Sequence, residues 1–155
     1  MAEKIMFLSP EWIREALRVV QGARSKDEEF NKLTSGYSLN LAYVVTDIPP
    51  KLKELYSSEQ ITLFIQLDKG VVKNFKILTK PPKEKIDFTI TSTYPVVRQI
   101  FLGQLSVTAA FMNRQLKVEP LSMVYRRPRF TAKSIIVGNM ILEFCRQIPT
   151  EYNST

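Results

Sequence analysis

The stretch IDFTITSTYPVVRQIFLGQLSVTAAFMN, Ile86 to Asn113, changes its apolar period part-way and with it the structure it can form. Ile86, Phe88 and Ile90 alternate with Asp87, Thr89 and Thr91, the period of two expected of a strand with one buried face. At Pro95 the spacing becomes helical. Val96, Val97, Ile100 and Phe101 make one apolar face, Ser92 or Thr93 is placed to cap it, and Gly103 to end it. Ser106 then opens a second short helix, VTAAFM. The one-sided strand needs cover for its apolar face, and the helices are the material available.

The flanks supply the rest of a sheet. Tyr37, Leu39, Leu41, Tyr43 and Val45 alternate with polar or small neighbours, and Ile61, Leu63, Ile65 and Leu67 repeat the pattern. Asp68-Lys69-Gly70 reads as a hairpin turn, and VVKNFKILT returns from it. QLKVEP follows the quoted stretch, with Leu116 and Val118 inward and Pro120 near its end, which suits an edge strand. IPPKLKELYSSEQ and KPPKEK read as loops, and ARSKDEEFNKLTSG as a short helix or loop.

Both ends read as helix. Ser9, Pro10 and Glu11 mark a start, Gly22 a stop, and Trp12, Ile13, Ala16, Leu17 and Val20 a buried face, giving a helix over about 9–22. The segment 131–148 is apolar over much of its circumference, interrupted by Gly138 and stopped by Pro149. The expectation is one α+β domain over 1–155. Its core, 36–120, holds a five-stranded, mostly antiparallel sheet covered mainly on one face by helices.

Composition excludes more than it proposes. An apolar fraction of 45% with 24% charged residues is that of a globular chain, so disorder is not expected away from the ends. No segment approaches the ~20 apolar residues of a membrane span, and no signal-peptide pattern is present. The single Cys145 cannot form an internal disulfide, which fits a reducing cytoplasm. No histidine is present, which removes the commonest general base and the usual metal ligand. No glycine belongs to a phosphate-cradling loop. The reading is of no enzyme, no metal and no cofactor.

The net charge of +7 is spread along the chain, except in VYRRPRF, which gathers Arg126, Arg127 and Arg129. Dispersed lysines serve solubility, so nucleic acid is not the expected partner.

From Lys85 to Val118 the sequence resembles the core of the sterol carrier protein type 2 family. The pattern is an Asp-containing strand, a helix closed by glycine, a short helix ending Ala-Phe-Met, and a further strand. Asp87, Gly103, Leu105, Ala110, Phe111, Met112, Leu116, Lys117 and Val118 fall on it in order and spacing. FLSPEW also resembles openings of prokaryotic members. The resemblance implies helices over the sheet around an apolar tunnel that takes sterols, fatty acids or acyl-CoA, without catalysis by the domain itself. On it, Phe88, Ile90, Val97, Phe101, Leu105, Phe111, Met112, Ile136 and Met140 are the expected lipid-binding residues.

Gln104 stands where the family pattern has lysine, Asn113-Arg114-Gln115 where members often have Gly-Lys, and Glu119-Pro120 where they often have Gly-Asp. Leu121–Phe130 aligns with nothing in the pattern; its Arg126, Arg127 and Arg129 suit a phosphate or carboxylate headgroup. The expected partner is a long-chain lipid, with transient contact to an anionic membrane surface or to acyl-CoA enzymes, and with dimerisation left open. The alternative is a protein-interaction module with a fully packed core and the basic segment as its docking site.

Overall fold

The computed structural model describes residues 3–152. In chain order its elements are β1 (Ile5–Met6), α1 (Pro10–Lys26), α2 (Glu28–Thr34), β2 (Leu39–Thr46), α3 (Pro50–Tyr56), β3 (Ile61–Asp68) and β4 (Val71–Leu78). These are followed by β5 (Phe88–Thr93), α4 (Tyr94–Leu102), α5 (Val107–Met112), β6 (Lys117–Glu119), α6 (Ser122–Arg126), α7 (Pro128–Cys145) and β7 (Thr150–Glu151).

Five strands make the main sheet in the order β4-β3-β2-β5-β6, α+β as expected. Three of its pairings are antiparallel, while β2 and β5 run parallel, Leu41 opposite Phe88 and Thr46 opposite Thr93. Parallel neighbours need a crossover, here everything from α3 through the segment 79–87, which must carry the chain from the β4 edge past β3 and β2. β1 and β7 form a separate two-stranded parallel pair that brings the chain ends together.

One face of the sheet holds the main core. Leu39, Tyr43, Val45, Ile61, Leu63, Leu67 and Phe75 meet Trp12, Val20, Phe30, Leu52, Val97, Val137 and Ile141 from the helices. On the other face Ala42 and Phe64 are buried too, with the Lys76 ammonium 5.8 Å over the Phe64 ring. A second, smaller apolar cluster gathers Ile100, Ala110 and Leu116 under α4 and α5.

Several element ends differ from the sequence expectation. Helix α1 runs past Gly22 to Lys26, because Gly22 does not take up a positive φ and the helix stops only at Asp27. The Pro-Pro segment after β2 is a helix, α3, with Pro50 in its first turn, where its missing N–H costs nothing, and Leu52 buried. Within the unaligned segment Ser122–Arg126 is helical. The last helix begins at Pro128, passes unbroken through Gly138 and ends at Cys145, three residues short of the expected 148. Three expected caps hold: the Trp12 amide donates to Ser9 Oγ at 3.2 Å, the Ala109 amide to Ser106 Oγ at 3.0 Å, and Gly103 closes α4 at φ +82°. At the start of α4, however, Thr93 makes no side-chain cap bond and Ser92 Oγ is turned to the Tyr43 hydroxyl.

Candidate functional site

Three of the nine expected lipid-binding residues are core. Phe88 stacks on Phe130 with centroids 5.8 Å apart; Val97 is wholly buried; Phe101 packs against Phe7 at 5.1 Å and Trp12 at 5.6 Å. Two lie on the surface: Met112 is 72% exposed and Ile136 51%. The remaining four, Ile90, Leu105, Phe111 and Met140, are half-buried. The structure therefore does not set all nine on one wall. It divides them among the packed interior, the exposed surface and half-buried positions.

That intermediate set lies along a seam. The main core and the smaller cluster share Ile90, Val118 and Leu142, which touch both and are fully covered by neither. Ile90 and Val118 are direct partners across the β5–β6 pairing, so the seam has a sheet floor. Leu105, Val107 and Phe111 border it on the α5 side, and Met123 and Met140 pack on the main-core side. The unbranched side chains of Met123 and Met140 can repack around an apolar guest with little strain.

Two hollows open on this part of the surface. One, of about 430 Å³, is lined by Phe111, Leu116, Val118 and Leu121 together with Pro120 and the charged Arg114, Lys117 and Glu119. The other, of about 280 Å³, lies between the Gly103–Val107 corner and α7 at Asn139, Leu142, Glu143 and Arg146. Both are open to solvent, and each shares residues with the seam, Val118 and Phe111 in the first and Leu105, Val107 and Leu142 in the second. Arg146 ties the corner to α7: its guanidinium donates to the carbonyls of Phe101 and Ile100, each at 2.9 Å.

Sequence reasoning missed Val118, Leu142, Leu121 and Arg114 as parts of this site. The inward setting of Leu116 and Val118 was readable from alternation. The placing of β6 beside β5 and under α5 depends on contacts distant in sequence. Arg126, Arg127 and Arg129 lie at the α6–α7 junction, all exposed, with the Arg127 guanidinium 4.1 Å over the Phe130 ring.

Polar chemistry in the interior is structural. Tyr43 and Ser92 share a hydroxyl hydrogen bond of 2.7 Å, and burial pushes the Tyr43 phenol up to about 12. Burial likewise pushes the Cys145 thiol up to about 12, which leaves it a core side chain rather than a nucleophile. Among the described residues no group of three or more carboxylate or thiol side chains could hold a metal ion.

The SCP-2 sterol transfer family model matches residues 19–119, the sheet and most of the helices that frame the seam. The chain belongs to this family. A crystal structure of sterol carrier protein 2 superposes with a TM-score of 0.67 at 15% identity, covering 92% of this chain and 98% of that one. A solution structure of a Thermus thermophilus protein, described as a candidate sterol carrier protein, gives 0.66 at 16%, covering 99% and 97%. The sterol carrier protein domain 2 of Helicoverpa armigera gives 0.52 at 14%, covering 92% and 96%. At such identities the likeness is one of fold. No curated protein matches by sequence. Membership in this family supports lipid binding or transfer as the function. No described helix is long and apolar enough to cross a membrane.

Proposed function

We propose that this SCP-2 family member is a non-catalytic carrier that takes one long-chain lipid at the seam between its two apolar clusters. The observation that carries the reading is the shared, half-buried set Ile90, Val118 and Leu142, where the interior is apolar but unfinished. The acyl or isoprenoid chain would lie along these residues and displace α5. That helix has six residues, and the cluster beneath it has three buried members, so its local opening is inexpensive. Burial of about ten methylenes at ~0.8 kcal/mol each supplies most of the gross affinity, before ordering costs. Leu105, Phe111 and Met140 would close on the chain, with Phe88, Val97 and Phe101 as the floor behind it. Arg114, in the hollow of about 430 Å³, is then available to a carboxylate or phosphate headgroup, while Lys117 is paired with Glu119 at 3.5 Å.

Native mass spectrometry of the purified protein, followed by solvent extraction, tests this directly. A stoichiometric adduct of lipid mass supports the carrier. A bare protein that also refuses a fluorescent fatty acid rejects it.

A second reading has its own observation. Phe7, Trp12, Tyr94, Phe101 and Tyr152 fill the space under α4 with ring against ring at 4.9–5.9 Å, as a packed interaction module would. The same refusal of lipid would leave that reading in its place.

A further inference from the structure

Between Glu119 and Glu143 the chain carries Arg126, Arg127, Arg129 and Lys133 and no carboxylate at all. The structure gathers this run on α6 and the first turns of α7. Among the described residues none of the four cations is in an ion pair. Two are held over aromatic rings, Arg127 on Phe130 and Lys133 at 5.0 Å over Tyr37, so they are positioned without being neutralised.

Large apolar side chains stand among these charges. Leu121 and Tyr125, one turn apart, are 52% and 81% exposed. On α7 the spacing Arg129, Lys133, Ile136 places an exposed isoleucine on the helix face that begins with the two cations.

Cations alone would suit a nucleic acid, an acidic protein or an anionic bilayer. The apolar side chains speak against the nucleic acid, and the hollow that Leu121 also lines favours a lipid surface over an acidic protein. A nucleic-acid backbone gives Leu121 and Ile136 nothing to bury in. A bilayer interface takes leucine, isoleucine and the tyrosine ring at the acyl boundary while guanidinium groups meet lipid phosphates. Leu121 also lines the hollow of about 430 Å³ beside β6, so the face and the hollow are continuous. Helix α1, by contrast, has its apolar residues Trp12, Ile13, Ala16 and Val20 buried in the core.

We propose that the α6–α7 face docks the protein on an anionic lipid bilayer, Leu121, Tyr125 and Ile136 entering the interface and Arg126, Arg127 and Arg129 holding lipid phosphates. The hollow beside β6 then opens toward the membrane. That use of the docking rests on the carrier reading above; the docking itself does not.

Sedimentation of the full chain with vesicles tests it. The wild type binds phosphatidylcholine vesicles containing phosphatidylglycerol, less tightly as salt rises, and leaves pure phosphatidylcholine vesicles unbound. Replacing the three arginines together, Arg126→Ala, Arg127→Ala and Arg129→Ala, lowers the partition coefficient roughly a hundredfold, about fivefold for each charge. Leu121→Ser with Tyr125→Ser lowers it roughly tenfold. Lys51→Ala, Lys80→Ala and Lys83→Ala, which remove the same charge from other exposed positions, leave it within about twofold. Every position changed in these variants is solvent-exposed, and thermal melts verify that each variant folds.

Equal losses in the arginine and lysine variants would overturn the proposal in favour of diffuse charge. A wild type that ignores phosphatidylglycerol vesicles would overturn it in favour of a nucleic acid or acidic protein, and an unchanged partition on loss of Leu121 and Tyr125 would overturn it in favour of adsorption by charge alone. Vesicle binding by a wild type that carries no lipid in the mass spectrometer and refuses a fluorescent fatty acid would support this proposal while rejecting the carrier reading.

Discussion

Phe111 and Phe101 are both aromatic residues of the family pattern region, yet they do different work. Phe101 is 4% exposed and surrounded by Phe7 and Trp12. Phe101→Ala is expected to cost about 3–5 kcal/mol in urea unfolding, the loss of a ring from a filled site. A cost below about 1 kcal/mol would show instead that it borders adaptable space. Phe111 is half-buried at the seam, so Phe111→Asp should leave the fold standing and lower fluorescent fatty-acid uptake at least about tenfold, where Arg127→Ala changes it little. Normal uptake by both folded variants would move the site elsewhere. Tyr43 predicts a pH response. Its phenol titrates at about 12 in the fold against 10.0 ordinarily. Its contribution is whole below pH 10 and is lost as pH rises toward 12, at up to about 1.4 kcal/mol per pH unit, because the unfolded chain releases its proton first. Tyr43→Phe should lose about 1 kcal/mol at neutral pH and yet unfold less steeply in alkali.

The α4–α5 corner shows how an element end is held from both sides. Gly103 adopts φ +82°, and an added Cβ would meet Arg146 Nε at 3.4 Å. Gly103→Ala should therefore cost about 1 kcal/mol, read from the denaturation midpoint. Ser106→Ala removes the oxygen that the Ala109 amide uses, again about 1 kcal/mol. Because α5 stands on a small cluster of its own, this second change should speed amide exchange in α5 while α1 stays protected. Uniform acceleration in both helices would mean that α5 opens only with the whole molecule, and the carrier reading would lose its gate. The glycine and serine were legible in the sequence, since each does its work within four residues. Arg146, which accounts for the hold on Phe101 and Ile100, was not; it comes from 45 residues away.

The two chain ends close the molecule. β1 pairs with β7, the Trp12 indole donates to Thr150 Oγ1 at 2.9 Å, and Tyr152 packs on Phe7 at 4.9 Å. Deleting residues 149–155 would uncover Phe7 and orphan the indole of Trp12, both wholly buried. We expect a loss of roughly 3–5 kcal/mol in thermal or urea unfolding. A truncated protein as stable as the full chain would make the clasp ornamental.

Read alone, the sequence settles what is local. Alternation set the strands and their inward residues, and Ser9, Ser106, Gly103 and Pro10 set helix ends, because capping and left-handed turns are settled within a few residues. The family followed from the same kind of information, a run of spaced residues from Asp87 to Val118. Contacts between distant parts of the chain decided the rest. The parallel pairing of β2 with β5 joins residues 47 apart, and no period in either strand announces a partner or a direction. That pairing and the edge position of β6 are what bring Ile90, Val118 and Leu142 together at the seam. It also fell to packing to put Phe101 in the core and Met112 in solvent, since a helix with apolar residues on several sides does not declare which side its neighbours will cover.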